Sequence, residues 1–254
     1  MPVEDPSIDL AVAICACNNM RTLPDTLRSV ADLASRLVVV DSGSTDGTID
    51  LARSFGAEVI HRDWTGMVEQ RQFALDQCRE QAWVLVLDSD ESVDETLRTS
   101  IRRLVTENPA DVAGASFNRK VWFLGGWLHH VFQPEWRLRL VRGGSGRVVG
   151  AHGHDRIDVD GRVERLTGTC RHDSWADLPD MMRSYVRFAE SSASSARRGG
   201  RAIDVLVRPG VAVFKQYVLK RGFLDGRRGF IASMGVGVGT LLKHLHLMSR
   251  RPGT

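Results

Sequence analysis

Apolar residues along this chain gather in short runs separated by stretches of helical spacing. LAVAICAC at 10–17 reads as a buried strand. Leu23, Leu27, Val30 and Leu33 recur at helical intervals, and Pro24 suits a first turn, so a helix is expected from about 22 to 35. LVVVD at 37–41 is a second strand. Thr45 or Asp46 caps a helix to about Phe55, and AEVIH at 57–61 is a third strand. A helix over about 68–80 leads into WVLVLD, the fourth strand, and another helix covers about 94–106. Strands alternating with helices of this length require right-handed crossovers. They predict an α/β fold: a Rossmann-like, mostly parallel sheet flanked by helices.

The pattern changes past residue 106. WRLRL at 136–140 alternates apolar and basic, as a half-buried strand does, and RIDVDGRV at 156–163 reads as a hairpin turning at Asp160-Gly161. Helical spacing returns over 178–198 and 203–221. With no long linker and no repeat, the expected organisation is a catalytic domain over 1–175 and a helical C-terminal extension over 176–254. The domain divides into halves of about 10–106 and 107–175.

Composition excludes extensive disorder: 43% of the 254 residues are hydrophobic and 26% charged. The net charge of +3 conceals an asymmetry. The first 100 residues hold 18 acids and 8 bases, the remainder 13 acids and 26 bases. An acidic front half suits a metal-assisted site, and a basic back half suits a surface that meets anions. Cys15, Cys17, Cys78 and Cys170 form no CxxC pair, which points to reduced thiols in a cytoplasmic protein, with Cys15 and Cys17 on one side of a strand. The N-terminus lacks an apolar signal core, and no stretch of about twenty residues reads as a membrane span.

Val205–Leu219 and Phe230–Leu247 are apolar with Lys215, Lys220, Arg221, Arg227 and Arg228 close by. Such helices lie on an anionic membrane surface, pack on the core, or pair as a homodimer. The basic residues join no nucleic-acid module, so nucleic acid is not an expected partner. Gly235, Gly237 and Gly239 lack the lysine and preceding strand of a phosphate loop, and close helix packing explains them better.

Candidate chemistry concentrates in WVLVLDSDE, where Asp88, Asp90 and Glu91 crowd three acids into four positions. Folding alone does not call for this, because like charges repel. In an open parallel sheet ligands bind beyond the carboxyl ends of the strands. Asn18, Asn19, Asp41 and Asp88–Glu91 all fall just past such ends. Asp88 and Asp90 are hard oxygen ligands suited to Mg²⁺ or Mn²⁺ shared with phosphate oxygens, unless one merely caps the next helix. Arg71 reads as part of a solvated helix face. Arg137 and Arg139 are either an anion-binding face or a solvated one. His152 and His154 beside Asp155 make a thin zinc set. Asp155 reads as a turn residue or a salt-bridge partner of Arg156.

VVVDSGSTDGT (38–48), Gln70-Arg71-Gln72, WVLVLDSDE, Arg139-Leu140-Val141-Arg142, His154-Asp155 and the later His172 resemble the inverting family 2 glycosyltransferases of GT-A fold. YVLKRGFLDG (217–226) is similar to the C-terminal region of the lipopolysaccharide-core glucosyltransferase branch. The resemblance spans about 10–248. It implies a metal-dependent inverting transfer of a hexose from a nucleotide-diphosphate sugar, UDP-hexose by family default, to a saccharide acceptor that is lipid-linked or soluble. Asp41 would contact the nucleobase or ribose, and Asp88 the ribose. Asp90 would hold the Mg²⁺ or Mn²⁺, with Asn18, Asn19, Ser89 and Arg71 completing the nucleotide-sugar site. Asp155 falls where relatives carry the Glu of a His-Glu pair, the catalytic base. His154, Arg139 and Glu91 fall on the acceptor or phosphate side. It also implies a cytoplasmic enzyme, peripheral on the inner face of the membrane. Two departures stand out: Asn18-Asn19 replaces the family's Asn-Glu, and Asp replaces Glu at 155. A catalytically silent sugar-nucleotide-binding scaffold and a nucleotidyltransferase are the alternatives on this sheet.

Overall fold

The computed structural model describes residues 8–150, 155–194 and 199–249. β1 (Leu10–Ala16), β2 (Arg36–Asp41), β3 (Glu58–His61) and β4 (Trp83–Asp88) are the four expected strands, joined by α1 (Leu23–Arg28), α2 (Thr48–Ser54) and α3 (Met67–Gln77). They pair in parallel in the order β3-β2-β1-β4. Leu10, Val12, Ile14, Leu85 and Leu87 pack with Leu23 and Leu27 in one apolar cluster. Ala11, Ala13, Val38, Val84 and Val86 pack with Ala74 and Leu75 in another. Burial of both faces explains why these strands read as continuous apolar runs rather than alternating ones. α1 ends at Arg28, earlier than the periodicity predicts. Ser29 turns its hydroxyl to the Thr26 carbonyl at 2.7 Å and accepts the Val93 N–H at 3.2 Å, a local bond that competes with helix continuation. Val30 and Leu33 stay buried in the turns that follow.

Next come β5 (Glu91–Val93), α4 (Glu95–Glu107), β6 (Val112–Phe123), β7 (Gly126–Trp127), β8 (Trp136–Arg142), β9 (Arg147–Val149), β10 (Arg156–Asp158) and β11 (Arg162–His172). The sheet continues from β4 through β8, β6 and β11 to β5, with the β4–β8, β8–β6 and β11–β5 pairs antiparallel. The hairpin expected at 156–163 is not one. β10 pairs with β9 in a separate two-stranded sheet, and β11 joins the main sheet. Gly161, at φ +133 against Ala113, makes the close approach where the chain passes from one sheet to the other. Asp94 fastens α4 to β11. One of its oxygens caps the helix at the Leu97 N–H (2.8 Å), and the other accepts the Thr169 N–H (2.9 Å).

The chain forms two compact units. The first comprises 8–119, 136–150 and 155–172 of the described residues. The second comprises 120–135, 173–194 and 199–249. The second unit holds α5 (Leu178–Ser194), α6 (Ala202–Phe214), a π-helical turn (Lys215–Leu219), a 3₁₀ turn (Gly222–Asp225) and α7 (Gly226–Ser249). Segment 120–135 belongs with these helices because Val121, Phe123, Leu128 and Val131 share an apolar cluster with Met181 and Ala232. Asp225 ties it down as well, accepting the N–H groups of His129, His130 and Val131 at 2.9, 3.0 and 2.9 Å.

α7 is the core of this unit. Gly235 and Gly239 lie against Tyr185 and Gly237 against Val213, the close packing expected of the small residues. Contrary to the sequence reading, Gly222–Ser249 is long and apolar enough to cross a membrane, by length and composition only, at a mean hydropathy of 1.2. Its glycines break the apolar run that would have signalled this.

Gly168 stands at φ +101 with its α-carbon against the Leu97 backbone, where a β-carbon would collide. Gly168→Ala is therefore expected to destabilise the protein by more than about 1 kcal/mol, read as a lowered urea midpoint.

Candidate active site

Strand register builds the rim. Cys15 on β1 lies opposite Asp88 on β4, and Ala16 lies opposite Asp41 on β2. The last residues of three neighbouring strands are therefore level, and the loops carrying Asn18, Asn19 and Ser89 start beside them. Cys15 is half-buried, and burial, with Asp88 adding, pushes its thiol up to about 12. It is a neutral packing group. Cys17 is exposed, because β1 has ended at Ala16, so the two thiols do not share one environment.

The polar residues of the rim are stitched to one another. Asn18, at φ +49, donates its N–H to Ser44 Oγ at 2.8 Å and accepts the Thr45 N–H on its side chain at 2.8 Å. Asn19 donates from its amide to Ser89 Oγ at 2.6 Å and accepts from the Thr22 hydroxyl at 2.7 Å. The Ser89 carbonyl in turn accepts from the Thr22 and Thr26 hydroxyls at 3.0 and 3.1 Å. Asn19 thus holds the loop after β4 in place. Asp41 is buried. It accepts the Gly43 and Ser44 N–H groups at 2.9 and 2.8 Å and also the Ser44 hydroxyl, the bonding of an Asx turn.

Behind the rim lies a network of opposite charges. Asp88 meets Arg71 on one oxygen and Arg139 (2.7 Å) on the other. Glu91 is fully buried. It takes Arg119 at 2.8 Å and Arg139 at 3.1 Å on one oxygen, and the Asp88 N–H at 3.1 Å on the other. Arg71 also meets Asp155. Arg71 and Arg139 are buried, so neither lies on a solvated face. Burial alone would raise the Asp88 carboxyl, but Arg139, Arg71 and Arg119 outweigh it and hold that carboxyl far below the usual carboxylate range. Burial also opposes ionisation of Asp90, and the imidazole of His172, 3.4 Å away, leads the effects that bring its carboxyl below the ordinary value.

The structure thus gathers Asp88, Ser89, Asp90, Glu91, Arg71, Arg139 and Asp155 with Asn18, Asn19 and Asp41 at the strand ends of the first unit. Asp155 pairs with Arg71, while Arg156 turns to Asp158 at 2.9 Å. His152 and His154 lie outside the described residues. Two members carried no assigned role in the sequence. His172 ends β11, paired through that strand with Glu91, which brings it to Asp90. Arg119 left a faint signal, in the polar break Asn118-Arg119-Lys120 within an otherwise apolar strand. Among the described residues no three His, Cys, Asp or Glu side chains form a complete metal cage.

A half-parallel sheet of this order, with acids gathered at the ends of its parallel strands, is a GT-A fold. The family model described as "Glycosyl transferase family 2" matches residues 11–157. The chain belongs to that family, which ends the nucleotidyltransferase alternative. It is 27% identical to the lipopolysaccharide core biosynthesis glycosyltransferase LpsC of Rhizobium meliloti (strain 1021), over 90% of this chain and 88% of the relative. It is 25% identical to the uncharacterized glycosyltransferase RP128 of Rickettsia prowazekii (strain Madrid E), over 89% and 82%. Among solved structures, S. aureus TarS is similar with a TM-score of 0.44 at 17% identity, covering 86% of this chain and 45% of TarS. Mycobacterium tuberculosis glucosyl-3-phosphoglycerate synthase, solved with Mn²⁺, UDP and glucosyl-3-phosphoglycerate, is similar with a TM-score of 0.36 at 21% identity, covering 44% of each chain.

Glu91→Gln leaves Arg119 and Arg139 buried with less compensating charge, an expected loss of about 3 kcal/mol. Asp90→Asn, at a partly exposed position, is expected to cost less than about 1 kcal/mol. Chemical denaturation of both variants checks the difference. The folded-state carboxyl of Asp88 lies below its unfolded value, so its stabilisation is full above about pH 4 and lost as pH falls toward the folded value. In Asp88→Asn the acid limb of the stability–pH curve should flatten.

Proposed function

We propose that this family 2 enzyme transfers a hexose, with inversion, from a nucleotide-diphosphate sugar to a hydroxyl of a saccharide acceptor, using Mg²⁺ or Mn²⁺. The observation that carries the reading is the link from β4's Asp88-Ser89-Asp90 through Arg71 to Asp155. Asp90 and His172 would hold the cation, and the donor set fits: one carboxylate and one imidazole leave positions open for diphosphate oxygens and water. The ion supplies neutralisation of the charge that develops on the departing diphosphate. Asn18, Asn19, Asp41, Asp88 and Ser89 form the edge that receives the nucleoside and ribose.

Asp155 is the base in this reading. A sugar hydroxyl is a weak nucleophile at neutral pH, and a carboxylate within hydrogen-bond reach takes its proton as attack proceeds. Attack opposite the leaving group inverts the anomeric carbon through an oxocarbenium-like state, as in glycoside hydrolysis. Arg71, shared between Asp88 and Asp155, fixes the base relative to the donor edge. Arg139 and Glu91 act from beneath by holding Asp88, and His154 is assigned to the phosphate side.

Similarity to an enzyme named for lipopolysaccharide core biosynthesis supports a lipid-linked saccharide acceptor, with UDP-hexose as the default donor. Such an acceptor places the enzyme on the inner face of the cytoplasmic membrane. The catalytic domain is then 1–175, with its acceptor half at 107–175.

Asp155→Asn should lower transfer by about 10²–10⁴-fold while leaving donor affinity near wild type. Asp90→Asn and His172→Ala should lose the Mn²⁺-dependent part of donor binding, measured by calorimetry with and without the metal. Full transfer by folded Asp155→Asn removes the base assignment. Unchanged metal dependence in both other variants removes the cation site.

A further inference from the structure

The second unit carries a helix with its polarity reversed. α6 has nine apolar residues among its thirteen, yet none of its residues is buried. Its packed side is Val205, Pro209, Ala212 and Val213, with Val213 and the Pro209 carbonyl against Gly237 of α7. The outward side is apolar as well. Ile203, Leu206, Val207, Val211 and Phe214 fall within one face at helical spacing, and all are exposed, Leu206 at 78%. The following turns extend the character with Val218, Leu219 (67% exposed), Phe223 and Leu224. Rings tie these turns to α7, since Tyr217 meets both Phe223 and Phe230 edge-on. A contiguous apolar face of this size on a folded unit is an interaction surface.

Charge selects the occupant. Residues 199–249 hold eight basic residues and two acids. Of the acids, Asp225 is buried beneath the His129–Val131 backbone and Asp204 is paired with Arg208 at 2.6 Å. Arg201, Arg208, Lys215, Arg221 and Arg227 are exposed along the same stretch. A two-fold contact between copies would turn this basic patch onto itself, setting like charges against each other. An anionic bilayer accepts both features at once, the apolar side chains at the acyl boundary and the cations among the headgroups.

We propose that the outer face of α6, continued through Leu219 and Leu224, docks in the plane of an anionic lipid surface. The choice of a membrane rests on the lipid-linked acceptor of the proposed function, whereas the surface stands on its own exposure and charge. Sedimentation of the full chain with vesicles reads the surface without any turnover, so its failure is separate from a failure of the transferase assignment. Wild type should sediment with phosphatidylcholine vesicles containing about 30% phosphatidylglycerol. Binding should fall at least 10-fold on pure phosphatidylcholine or at high salt. Leu206→Glu/Val211→Glu alters only exposed positions, so circular dichroism should be unchanged while binding to the anionic vesicles drops at least 10-fold. Equal sedimentation of variant and wild type overturns the proposal, as does absence of wild-type binding. A wild-type dimer in sedimentation velocity that the same variant dissociates also overturns it, in favour of a second copy.

Discussion

The active-site region depends on one electrostatic constraint: Asp88, ending a strand whose preceding five residues are all buried, must stay ionised where burial opposes it. Arg71 and Arg139 grip its two oxygens, and Glu91 beneath holds Arg139 together with Arg119. The arrangement is costly, because desolvating charges competes with their attraction, and an apolar cluster of similar volume is often as stable. What it provides is position. A guanidinium that must satisfy two carboxylates cannot drift, and Asp88 inherits that rigidity from residues on α3, β6 and β8. Four carboxylates, Asp88, Asp90, Glu91 and Asp155, share three guanidiniums and the imidazole of His172.

Within D-x-D the two acids differ because their neighbours differ. Asp88 is neutralised by arginines and serves as an anchor. Asp90 faces an imidazole instead, across the β11–β5 pairing that sets His172 beside Glu91. An arginine pair is a permanent partner, whereas in the proposed reading the imidazole shares a bound cation with Asp90. The division of labour is thus made by the antiparallel half of the sheet, which contributes Arg119, Arg139 and His172, on acids contributed by the parallel half.

That division also explains what could be read from the chain. The parallel strands were legible because burial on both faces leaves continuous apolar runs, and the rim followed because parallel strands all end on the same side. Asp88 and Asp41 needed only that rule. Arg119 showed itself only faintly, because nothing local distinguishes a buried counter-ion from a solvated base. Its partner is 28 residues away in sequence. Glu91 looked like a third rim acid for the same reason. It directly follows Asp90, but the chain turns into β5 there and carries it inside. The false hairpin at 156–163 had sound turn chemistry at Asp160-Gly161, and pairing with β9 and with the main sheet overrode it. α1 stopped short because a single hydroxyl, Ser29, had partners in another element.

The second unit obeys different rules. Its inner packing relies on glycines along α7 that admit Tyr185 and Val213, so the helices approach closely with few large side chains buried. The large apolar residues of α6 do not join the unit's apolar cluster around Phe123, Leu128 and Met181, and α6 presents them outward. Buried small residues with exposed large ones invert the usual order of a globular core. The proposed docking gives the inversion a physical rationale, because the outer face then meets a medium less polar than water. The same composition makes α7 pass a membrane-length test while its glycine side is packed within the unit. Hydropathy averaged along a helix does not separate the two cases. The side on which the large residues stand does, and on α6 that side faces away from α7.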